Sequence, residues 1–178
     1  MLGLLALHLA LWGTPAPPPV VALIELDVSG TNVKGVTVDK RVRVAYPKGW
    51  DKAQGPDGRS VQLIGPTGEG EIVVAALAHP SELGEILEGL RGRHPSATPS
   101  PPEVGKVHGI RPKLGERATL FTITGGEVGE MMMIERGGVI VLFAAVVRPD
   151  SWTEVQAQLV RCYPTVEVLE RGAKRRAK

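Results

Sequence analysis

From Val36 to Tyr46 the chain alternates. Val36, Val38, Val42, Val44 and Tyr46 fall on even positions, while Thr37, Asp39, Arg41 and Arg43 fall on odd ones, with Lys40 the one interruption. A period of two with one wet face fits a half-buried strand. Pro47 ends the run, because proline has no N–H to give to a ladder. Gly49 turns the chain, and Trp50 is placed to fold back as a lid on the end of the core. Across 178 residues, 22 glycines and 15 prolines repeat this punctuation. A sheet-rich fold of short strands and tight turns is therefore expected.

The rest of the chain reads in the same way. Residues 20–28 are apolar enough for a strand, with a turn at Ser29-Gly30-Thr31-Asn32. Residues 54–58 form a turn, 60–65 a short strand, and 71–78 a continuous apolar strand suited to a sheet centre. Leu83, Ile86, Leu87 and Leu90 then share one helical face, with Ser81 as the expected cap, early Glu82 and Glu85, and late Arg91 and Arg93. Residues 93–103, rich in proline and serine, are expected to be a long loop. Strands follow at 106–110, 117–124, 130–135 and 139–147, joined by glycine turns as an antiparallel meander. A closing helix opens at Trp152, with Ser151 and Glu154 as a capping box. Pro164 ends it, and residues 165–170 are expected to add an edge strand. The fold class is α+β, an antiparallel sheet with helices against its faces or ends.

Length suits one domain, which buries roughly two-thirds of its unfolded surface. Aromatic residues make up only 4%, so the core is built mainly from Val, Leu, Ile and Ala. The organisation expected is an apolar segment over 1–21, one domain over 22–170 and a basic tail over 171–178. The first segment holds an apolar run from Leu2 to Trp12 followed by small residues and prolines. It reads as a signal peptide with a proline-rich linker, which places the protein in the cell envelope or periplasm. The alternative is a cytoplasmic protein whose apolar start packs on the domain or a partner. Net charge is +2, yet five of 21 basic residues lie in the last eight positions. The body is slightly acidic, which argues against nucleic acid as a partner. The tail is a solvated end suited at most to weak contact with an anionic surface. Cys162 is the single cysteine, so no disulfide forms within the chain, and zinc sites of the Cys₄ or Cys₂His₂ type are excluded.

A strand ending in Tyr46-Pro47-Lys48-Gly49-Trp50, then short strands, a helix, a meander and a closing helix that opens at Trp152, resembles the PsbP-like superfamily. That superfamily includes the extrinsic PsbP protein of photosystem II, a Ran-binding nuclear import factor and bacterial envelope proteins of the DcrB kind. The resemblance covers roughly residues 22–170 and rests on Tyr46, Pro47, Gly49, Trp50 and Trp152. It implies an α/β/α sandwich that serves as a binding or accessory module without established catalysis. It carries over no functional residue.

Chemistry-bearing motifs are few. The glycine-rich stretch over 65–71 lacks the Gly-Lys-Ser/Thr that a phosphate loop needs, and its Glu69 and Glu71 would repel phosphate. There is no HExxH and no Gly-x-Ser-x-Gly elbow. Of Met131, Met132 and Met133, only Met131 and Met133 share a strand face, which is ordinary core packing. His94, Glu103 and His108 are the one trio that a fold across the proline loop could gather as a ligand, metal or partner site. No catalytic residue, cofactor or metal is assigned. A non-enzymatic module that acts through a protein partner is expected, with a small-ligand or metal binder as the alternative. The contact surface is expected at a sheet edge or at the 93–103 loop.

Overall fold

The computed structural model describes residues 21–55, 58–105, 108, 110, 112–113 and 115–171. The apolar segment read as a signal peptide, up to residue 20, lies outside them, as does the basic tail beyond Arg171. Eleven strands and two α-helices are present among the described residues. In chain order they are β1 (Val21–Thr31), β2 (Thr37–Pro47), β3 (Asp51–Gln54), β4 (Ser60–Ile64), β5 (Gly70–Leu77) and α1 (Leu83–Arg93). Then come β6 (Thr98–Pro99), β7 (Glu103–Val104), β8 (Arg117–Thr124), β9 (Val128–Arg136), β10 (Val139–Val147), α2 (Trp152–Cys162) and β11 (Glu167–Glu170).

The strands divide into two antiparallel sheets. One has the order β1-β2-β11, and the other runs β3-β4-β5-β10-β9-β8-β6, with β7 also paired to β8. The expected α+β sandwich is present, with α1 on one face of the large sheet. The other face packs against the small sheet and α2. Strand β10 shows why both faces are covered. All nine of its residues are buried. Val139, Val141, Phe143, Ala145 and Val147 join the core shared with the small sheet. Ile140, Leu142, Ala144 and Val146 face α1. A strand apolar on both sides is stable only where both sides are dry.

The small sheet keeps the predicted alternation through Val44, past which Ala45 is buried and Tyr46 only half-buried. Ile24, Leu26, Val28, Val38, Val42 and Val44 point into the core. On the wet face Glu25 meets Arg41 and Arg43, at 3.3 and 2.7 Å, and Arg171 reaches Asp39 at 3.1 Å. The Arg43 hydrogen bond holds the Glu25 carboxyl below its ordinary range. Such exposed pairs set register more than they add stability. The turn differs from expectation. Strand β1 runs on through Gly30, where a Cβ would come within 3.0 Å of the Ala78 Cβ. The reversal falls at residues 32–36, because the Asn32 side chain accepts from the backbone N–H of Lys34 and Val36 at 2.9 and 3.1 Å. Val36 is consequently 56% exposed rather than the first core residue of its strand.

Both expected helix caps are corrected. Ahead of α1, His79 caps the 3₁₀ turn leading into the helix: its backbone is extended and its Nδ1 accepts from Ser81 N–H at 3.2 Å. Helix α1 itself, which follows Glu82, has no side-chain cap. The Glu82 carboxylate accepts from His79 N–H at 2.8 Å and closes a reciprocal box around the 3₁₀ turn Pro80–Glu82. At α2 Ser151 already has helical φ and ψ (−94°, −11°) and makes no cap. Its hydroxyl turns to Asp150 at 3.2 Å instead. Capping needs an extended backbone at that position.

The 93–103 stretch is not wholly loop. Thr98–Pro99 pairs with Ile123 and Thr124, and Glu103–Val104 with Thr119 and Leu120. Of the strand expected at 106–110, Lys106, Val107 and Gly109 lie outside the described residues. β7 pairs with β8 along that edge. Gly129 shows where glycine is obligatory, since a Cβ there would lie 1.9 Å from the Ala145 carbonyl oxygen.

Candidate functional site

The helix face read from the sequence does not seal completely onto the large sheet. Leu83, Leu87 and Leu90 form the roof of a cleft of about 310 Å³. Phe121 and Ile123 of β8, Met131 and Met133 of β9, and Ala144 and Val146 of β10 form its floor. Ala97, Pro99 and Ser100, from the stretch after the helix, close one side. The floor is apolar because period-two alternation sends these residues to the α1 face. Met132, between the two methionines, is buried on the opposite face. Side chains able to hydrogen-bond enter the lining only as Arg91, His94 and Ser100.

His94 is held by two carboxylates. Its Nδ1 lies 2.9 Å from Glu127 and its Nε2 3.2 Å from Glu71. Both contacts are hydrogen bonds together only when both ring nitrogens carry hydrogen. Glu71, 4% exposed at the start of β5, also accepts from Arg93 Nε and Nη2 at 2.8 and 2.6 Å. That two-pronged pairing raises the Arg93 guanidinium above its ordinary range. The cluster fastens the C-terminal end of α1 to the sheet.

A second buried carboxylate lies across the sheet. Glu130 is 2% exposed and opposes Ala145, on the face shared with α2. Tyr163 Oη donates to it. His108 Nε2 contacts it at 2.9 Å and Gln156 Nε2 donates at 3.2 Å. Burial, with the Glu130 charge behind it, pushes the Tyr163 hydroxyl well above its ordinary range. Tyr163 also meets Phe143 edge-on, with ring centroids 5.0 Å apart. His108 is held in the left-handed region at φ 47°. Cys162 is fully buried beside this joint, its thiol pushed up to about 12 by desolvation. A buried thiol of that kind is a core group with little nucleophilic character.

The three residues offered by the sequence do not meet. His94 sits on the α1 face, His108 packs against Glu130 and Tyr163 on the other, and Glu103 is exposed on β7. Among the described residues no group of three His, Cys, Asp or Glu side chains has the geometry to hold a metal ion. Sequence reasoning missed Glu71, Glu127 and Glu130. The available signal was a carboxylate immediately before each of two apolar runs, Glu71 before residues 72–78 and Glu130 before residues 131–134.

No protein-family model matches the sequence. No curated protein matches it either. Among solved structures, the chain is similar to the solution structure of cyanobacterial PsbP (CyanoP) from Synechocystis sp. PCC 6803. The TM-score is 0.50 and the identity 12%, over 88% of this chain and 98% of that one. At that identity the likeness is one of architecture and carries no residue roles across: this chain has a PsbP-like fold.

Proposed function

We propose that the protein is a non-enzymatic binding module whose site is the cleft beneath α1, and that it serves as an accessory protein of the cell envelope. The open apolar cleft carries this reading. A cavity of about 310 Å³ is at the small end of ligand sites, which run roughly 300–1,000 Å³. The titratable clusters nearby are engaged with one another as structural joints. Wild-type protein is expected to bind the neutral fluorophore N-phenyl-1-naphthylamine with one-to-one stoichiometry. Leu87→Trp in the roof, or Ala97→Trp in the side wall, should abolish that binding while thermal unfolding stays cooperative. Binding that persists in both folded variants would remove the cleft as the site.

The envelope assignment rests on the apolar run from Leu2 to Trp12 and the prolines behind it. Among the described residues no helix is long and apolar enough to cross a membrane. Mass spectrometry of the native protein should show loss of the first ~16–22 residues. Retention in a soluble protein would favour the cytoplasmic alternative.

A protein partner is the second reading, favoured by Val33 and Val36. These valines are 66% and 56% exposed at the tip of the β1–β2 hairpin. Apolar side chains at a loop tip suit insertion into a partner's pocket. A tagged Val33→Lys, Val36→Lys double variant should lose a protein that co-purifies with wild type from the native organism. Equal recovery would rule out the hairpin tip.

A further inference from the structure

We propose that the cleft binds a short apolar chain bearing a single anionic head group, the size of a medium-chain carboxylate, with the head against Arg91. This rests on the cleft being the binding site and adds the chemistry of its occupant. Three observations define it. The volume of about 310 Å³, at the small end of the roughly 300–1,000 Å³ of ligand sites, limits the occupant to a small molecule. The floor and roof are leucine, methionine, phenylalanine, isoleucine, valine and alanine side chains. They offer dispersion contacts and no hydrogen bond, so the buried part of the ligand must be apolar.

Charge at the mouth decides the head group. Four charged or chargeable groups next to the cleft close on themselves. Glu71 takes Arg93 and one ring nitrogen of His94, and Glu127 takes the other. Arg91 is left over. It lines the cleft, and no described residue gives it a hydrogen bond or an ion pair, Glu88 one turn earlier on α1 included. A guanidinium matches a carboxylate with two parallel N–H donors. Leu87 and Leu90 precede it on the same helix, so a chain seated beneath them emerges at its side chain.

The test uses the full chain with decanoate, decanol and decyltrimethylammonium, each below its micellar concentration, competing with N-phenyl-1-naphthylamine. Decanoate should compete best and the ammonium compound worst. Arg91→Glu, a substitution at an exposed position, should weaken decanoate about tenfold or more and leave decanol within about twofold, since decanol carries no charge to lose. Equal competition by decanol and decanoate, or the best competition by the ammonium compound, overturns the head-group assignment alone, provided Leu87→Trp still blocks the fluorophore. Binding of all three probes unaffected by Leu87→Trp and Ala97→Trp overturns this assignment and the cleft reading together.

Discussion

Glu130→Ala is expected to lower the unfolding free energy by about 3–5 kcal/mol, the usual cost of removing one partner from a buried charged network. Glu130 is 2% exposed, and three side chains converge on it from different parts of the chain. Tyr163 follows α2, Gln156 lies within it, and His108 belongs to the segment between β7 and β8. Alanine would strand the Tyr163 hydroxyl, 1% exposed, without an acceptor, and an unpaired buried donor keeps its whole desolvation cost. Tyr163→Phe removes donor and need together and should cost less, about 1–2 kcal/mol. Equilibrium urea unfolding measures both, with coincident transitions by circular dichroism and tryptophan fluorescence as the check on two-state behaviour. A loss below about 1 kcal/mol for Glu130→Ala would show that the carboxylate is not the joint between α2 and the large sheet.

Trp50→Ala should be comparably severe, about 3–5 kcal/mol. The indole is 8% exposed and belongs to the core shared by the two sheets. It reaches that position because Pro47 ends β2 and Gly49, at φ 91°, takes a left-handed turn that a side chain would resist. For a domain of 150–250 residues each kcal/mol moves the melting temperature by roughly 2–4 °C, so a fall of about 6–20 °C is expected. Trp50→Phe, which keeps most of the apolar volume, should recover much of it. A fall under about 3 °C for the alanine variant would instead mark Trp50 as a surface recognition residue.

These two sites differ in how far local sequence reveals them. Trp50 follows a strand that stops at proline, so its role as a plug is visible from local pattern. Strands β8 and β10 begin and end at the expected residues, because an apolar run bounded by glycine turns carries its own limits. β3 is not visible in that way. All four of its residues are exposed, so burial imposes no alternation on them, and only pairing with β4 makes them a strand. The caps moved for a similar reason. Ser151 and Ser81 have the right side chains, but backbone conformation decides which residue can cap.

The candidate site is legible in part. The roof of the cleft is the helical face of Leu83, Leu87 and Leu90, and its methionine floor follows from Met131 and Met133 sharing a strand face. His94 does have carboxylate partners in reach, but they are not the ones expected from its neighbours along the chain. His108 and Glu103 are near it along the proline-rich segment, yet the sheet separates His94 from His108. Glu71 and Glu127 lie 23 and 33 residues from His94 and meet it because the start of β5 and the turn between β8 and β9 lie beside the end of α1.

Periodicity, turn residues and apolar runs are properties of a few neighbouring positions. They suffice for the sheet-rich α+β class, the PsbP-like order of elements, the wet and dry faces of β2, and Trp50 as a core residue. Long-range packing settles the rest: that the strands split into two stacked sheets, that Glu71 and Glu130 are buried and satisfied from opposite sides, and that α1 leaves a cleft beneath it. Those outcomes depend on which distant segments pair after the chain closes its loops, and on how completely one face fills another. Neither is encoded in any short window of residues.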